Sequence, residues 1–166
     1  MVHVVSLVAL AVSLASASVA CAVWWTNREK LRLDLYNRRF DIYNRTLDFY
    51  HALLKWNPSG TEVISTSLRE SPELEKVQSA FIKASREAQF LFDDNSGVYK
   101  LLEQLGADAI GIIGYKRDVA PKLNGPELLT EHQKFSERWN RIHAAMPLLE
   151  EGLSRYLDFH RLTAWR

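Results

Sequence analysis

The chain has a single cysteine, Cys21, among 166 residues. That excludes an intrachain disulfide and any cysteine-based zinc cluster. Net charge is scarce too: 21 Lys and Arg against 20 Asp and Glu leave +1. So small a balance gives no bulk field to attract nucleic acid, and none is expected as a partner. Signature motifs are also missing. No Walker P-loop, GxSxG or HExxH occurs. Gly106, Gly111 and Gly114 do not form GxGxxG, and no strand pattern precedes them. Di-metal bundle sites use Glu-x-x-His on two helices. The nearest approach here is one Asp48-x-x-His51, off the heptad row described below. These absences point away from an enzyme and away from a bound metal or cofactor.

Charge is missing most conspicuously at the start. Residues 1–25 contain no Lys, Arg, Asp or Glu. Within them, "VVSLVALAVSLASASVACAVWW" (residues 4–25) would form a helix roughly 33 Å long, enough to cross a ~30 Å hydrocarbon core. A cleaved signal peptide is the main rival. It normally opens with a positive region and has a shorter apolar run, and "MVH" carries no Lys or Arg. Ser18-Val19-Ala20 would suit a cleavage site, and Cys21 after Ala20 has the form of a bacterial lipoprotein signal. However, Ser18 stands where that signal usually has an aliphatic residue. The expectation is an uncleaved anchor over residues 1–26. The alternative is a secreted or lipid-anchored envelope protein.

Basic residues follow the anchor closely: Arg28, Lys30, Arg32, Arg38 and Arg39. The positive-inside rule then keeps the remainder in the cytoplasm and the N-terminus outside. Trp24 and Trp25 stand where an aromatic belt marks the interface. Trp24, Trp25, Arg28, Lys30 and Arg32 are therefore the candidate membrane-interface residues. One helical face is small, with Ala9, Ser13, Ala17 and Cys21 spaced by four, which suits close helix pairing in lipid. Residues 28–45 carry six basic and three acidic groups. Anionic lipid attracts basic groups by about 1 kcal/mol each near the surface, and this fades within a Debye length. So mixed a face reads as a solvated surface with a topology signal. The Asn44-Arg45-Thr46 sequon lies mid-helix on the side expected to be cytoplasmic and is read as coincidence.

The rest is read by period. Leu33, Tyr36, Phe40, Tyr43, Leu47, Tyr50 and Leu54 are spaced 3-4-3-4-3-4, a sustained heptad seam proposed to pack against another helix. Leu35, Ile42, Phe49 and Trp56 form a second row beside it. Together they span roughly 160° of the helix, wide for a coiled coil and suited to a bundle. "NPSG" (residues 57–60) ends this helix, and residues 61–71 read as loop with a turn of helix. Ser71-Pro72-Glu73 starts the next, with its seam at Leu74, Val77, Phe81, Ala84, Ala88 and Leu91. "DDNSG" (residues 93–97) marks a turn. Val98, Leu101, Leu105, Ala109 and Ile112 open a third run that ends near Asp118. Its glycines suit close helix contact or a bend. A loop over 120–126 precedes the last seam: Leu128, His132, Phe135, Trp139, Ile142, Met146, Leu149, Leu153 and Tyr156. Pro147 falls within that seam without shifting its phase, which favours one kinked helix over two. His132 and His160 fall on the seam and His143 off it. An ordinary hydrogen-bonded or half-exposed imidazole is the reading preferred to a pH-sensitive core.

"REKLRLDLYNRRFDIYNRTLDFY" (residues 28–50) resembles a juxtamembrane motif of uncharacterised bacterial single-pass membrane proteins. "REAQFLFDD" (residues 86–94) is similar to a second stretch of theirs. The resemblance implies a bacterial inner-membrane setting and a helical chain, and it implies no activity. The expected architecture is all-α: an N-terminal transmembrane helix, then a cytoplasmic antiparallel bundle of about four helices over 27–166. The expected role is a self-associating membrane-anchored interaction or scaffold protein. Its partners would be the lipid bilayer, a second copy and an unidentified protein.

Overall fold

No proline or glycine occurs before Pro58, so nothing in the sequence interrupts the first helix. In the computed structural model, which describes residues 2–56, 72–119, 122 and 125–157, α1 (Val2–Trp56) runs unbroken for 55 residues. The apolar segment and the first heptad helix are thus one element. α2 (Pro72–Leu91) opens with proline at its first position and Glu73 and Glu75 in its first turn, where they complement the helix dipole. Residues 57–71, including the expected Ser71 cap, lie outside the described residues. A 3₁₀ turn (Asp94–Ser96) and Gly97 lead into α3 (Val98–Gly114). Gly97 has φ +69°, a left-handed conformation glycine adopts without steric cost. One π-helical turn (Tyr115–Val119) extends α3, and α4 (Pro126–Leu157) completes the fold. Most of the 120–126 loop and the C-terminal residues 158–166, His160 among them, lie outside the described residues. There is no strand among the described residues.

The chain divides into two units, residues 1–37 and 38–166. In the first, every side chain from Leu10 to Arg28 is exposed. The second is an antiparallel bundle, and its side-chain pairings give the directions. Arg39 meets Leu91, Phe49 stacks on Phe81, and Lys55 pairs with Glu73, so α1 and α2 run oppositely. Tyr43 bonds Glu150 and Tyr50 bonds His143, so α4 also opposes α1. Asp108–Arg141 and Tyr115–Phe135 set α4 against α3 in the same sense.

The core draws on all four helices, with Phe49, Leu53, Phe81, Leu102, Ile112 and Leu149 among its fully enclosed members. α4 remains a single helix through Pro147. Each seam position from Leu128 to Tyr156 is buried or half-buried. The α2 seam is enclosed in the same way. Gly106 lets the Phe81 ring approach: a Cβ there would sit 3.3 Å from it.

On α1 the packing differs from the periodic reading. Its buried positions are Ile42, Thr46, Phe49, Leu53 and Trp56. At 100° per residue this row is centred about 120° from the Tyr-containing seam. Tyr43, Leu47, Tyr50 and Leu54 are half-buried at the margin of the core, and Phe40 is 42% exposed. In the first unit Leu33 and Leu35 are exposed and Tyr36 is half-buried. The seam therefore marks an edge of the packed face. Its centre is the second row, completed by Thr46 and Leu53. Thr46 tolerates full burial because its hydroxyl donates to the Ile42 carbonyl at 2.8 Å.

Candidate interaction surfaces

From Leu10 onward the N-terminal part of α1 turns large apolar side chains outward: Leu10, Val12, Leu14, Val19 and Val23 are each more than half exposed. In water every such side chain forgoes most of the roughly 1.5–3 kcal/mol that full burial provides. Three of its hydroxyls are turned inward on the backbone. Ser16 donates to the Val12 carbonyl, Ser18 to Leu14 and Thr26 to Ala22, each at 2.9 Å. A hydroxyl bonded to the carbonyl four residues back needs no water, as a lipid-facing helix requires. By length and composition this helix can cross a membrane, a test that N-terminal signal sequences also pass. Cys21 is free and exposed on it.

The candidate interface residues sit just beyond. Trp24 and Trp25 are 60% and 57% exposed. The Arg28 guanidinium lies 5.4 Å from the Trp24 ring centroid, a cation–π contact between an aromatic and the first charge after the apolar run. Arg32 reaches Glu29 at 3.4 Å, and Lys30 is exposed.

Arg39 has a different task from the other basic residues. Its Nε donates to the carbonyl of Leu91, the last residue of α2, at 2.9 Å. The guanidinium stands 4.6 Å from the Tyr156 ring centroid and 5.8 Å from that of Phe92. Those rings meet edge to face at 5.1 Å, and the Tyr156 hydroxyl donates to Asp93 at 3.3 Å. One cation thus caps the negative end of α2 and bridges to the end of α4. The "RRFDIY" and "REAQFLFDD" stretches, far apart in sequence, meet here.

Tyrosines on the α1 seam reach α4 through their hydroxyls. Tyr43 donates to Glu150 at 3.1 Å. Burial, then Glu150, raises its phenol above the ordinary pKa. Tyr50 shares a 2.7 Å hydrogen bond with His143 Nδ1, and burial raises its pKa too. The His143 ring also meets Trp139 edge-on at 5.1 Å. His132 is half-buried between Tyr115 and Phe135. Two buried charges, Asp108 and Lys116, lie outside the periodic reading. Asp108 accepts both Nε and Nη2 of Arg141, at 2.9 and 2.6 Å, and this holds the Arg141 pKa above its usual value. Lys116, in the π-helical turn, lies 5.7 Å from both the Trp56 and the Phe135 ring centroids. An acid within the apolar Leu105–Ala109–Ile112 row was the only available signal for Asp108.

Among the described residues no group of three or more His, Cys, Asp or Glu is placed to hold a metal ion. No protein-family model, no curated protein and no solved structure matches the chain.

Proposed function

We propose that the protein is a single-pass bacterial inner-membrane protein, its N-terminus outside and its helical bundle in the cytoplasm. The bundle acts by binding rather than catalysis, and the chain self-associates. The observation that carries this is the charge-free helix surface over residues 10–27, exposed throughout, with the Ser16, Ser18 and Thr26 hydroxyls bonded to its own backbone. The Trp24–Arg28 contact and the basic residues after it support the orientation. The small face at Ser13, Ala17 and Cys21 supports pairing of two anchors. The half-exposed seam at Leu33 and Phe40 supports pairing beyond them.

Cys21 provides the test, being the chain's one thiol. Mild oxidation of native membranes should give a disulfide-linked dimer, and Ala17→Leu should remove it by separating the helices. A chain extracted from membranes by alkaline carbonate would count against an integral anchor. The secreted or lipid-anchored reading draws on Ala20-Cys21, and intact mass distinguishes it. A mature chain beginning at Cys21, with or without added lipid, would replace the first proposal.

A further inference from the structure

We infer that the outer edge of the α3–α4 contact, around Arg138, is a seat for an oxyanion, a carboxylate or a phosphate. Arg138 is half-buried, and its guanidinium lies flat over Gly111. A Cβ at Gly111 would fall 2.7, 2.8 and 2.9 Å from Nη1, Cζ and Nε. The whole fork, not only its tip, therefore occupies space that the missing side chain leaves open. Yet no acceptor among the described residues bonds it. One turn along, Arg141 spends Nε and Nη2 on Asp108. Glu137 accepts instead from Gln133 Nε2 at 3.0 Å. The edge thus presents two guanidiniums and two carboxylates, Asp108 committed to Arg141 and Glu137 to Gln133, and Arg138 alone has no acceptor among the described residues. A half-buried guanidinium held in a fixed plane with its donors uncommitted is pre-organised for an acceptor, and its planar fork matches two oxygens of one anion. The chemistry is the same whether the oxygens belong to a free phosphate or to an acidic side chain of a bound polypeptide. The seat depends neither on the anchor nor on self-association, so its failure would leave the proposed function standing.

The test uses the full chain in detergent micelles with ¹⁵N-labelled arginine. The Arg138 Nε–H resonance is followed while sodium phosphate, acetate or hexaglutamate is added, against chloride at constant ionic strength. Saturable shifts with phosphate and acetate are expected. Arg138→Lys, which keeps the charge and loses both the fork and its Nε–H, should weaken binding of the same anions, measured by isothermal titration calorimetry, at least about tenfold. Gly111→Ala should weaken it several-fold by pushing the flexible guanidinium off its seat, with an unchanged unfolding midpoint. Tighter binding of hexaglutamate identifies a polypeptide acid as the source, and tighter binding of phosphate identifies a free anion. Shifts that chloride reproduces, or calorimetric binding that survives both substitutions undiminished, overturn the proposal.

Discussion

Replacing Phe49 and Phe40 separately by alanine tests where α1 packs. Phe49 is 1% exposed and stacks on Phe81 with ring centroids 4.7 Å apart at 18°. Truncating an enclosed phenylalanine costs about 3–5 kcal/mol, within which the ring pair accounts for about 0.5–1.5 kcal/mol. For a chain this size each kcal/mol moves the unfolding midpoint by about 2–4 °C, so Phe49→Ala should lower it by ~10 °C. Phe40 is 42% exposed and should cost no more than about 1 kcal/mol. Thermal unfolding of the full chain in micelles, followed by far-ultraviolet circular dichroism, measures both. A double-mutant cycle with Phe81→Ala should return the ring-pair coupling. Equal losses from Phe40→Ala and Phe49→Ala would place the seam at the centre of the core and refute the assignment of the buried row.

Three further outcomes follow. Arg39→Ala should destabilise the bundle by about 1–3 kcal/mol, seen in denaturant melts, because it uncaps α2 and unstacks Tyr156; Arg39→Lys should restore only part. Tyr43, Tyr50 and Tyr115 all have phenol pKa values raised above 10.0, chiefly by burial. Their contribution is intact below pH 10 and is lost as pH rises through the raised values, so stability should fall in alkali as phenolate absorbance appears. A bundle unaffected while all three ionise would contradict their placement. Gly97→Ala, at φ +69°, should cost about 1 kcal/mol although no atom lies within 4 Å of the added Cβ. A neutral result in the same melts would show that this turn is not held.

Much of the fold was legible because spacing and stop signals agreed. The α4 seam kept phase through Pro147, and α4 is one helix. Nothing breaks helix between Trp25 and Leu31, and α1 is continuous. The rotation of α1 was not legible. Tyr36, Tyr43 and Tyr50 counted as apolar, but an amphipathic ring suits a margin where its hydroxyl finds Glu150 or His143. Thr46 counted as polar, yet an i−4 carbonyl satisfies it in the core. Asp108 and Arg141 are partners that only tertiary structure reveals, since they lie on different helices. The Arg39 junction was half legible: both stretches that build it stood out, but no single-sequence pattern joins them.

The orientation of the bundle carries the functional account, and paired topology reporters fused after Arg166 measure it directly. One reporter should be active only in the cytoplasm and the other only in the periplasm. The cytoplasmic fusion should be active and the periplasmic one silent. Activity from the periplasmic fusion alone would place the bundle outside and contradict the account.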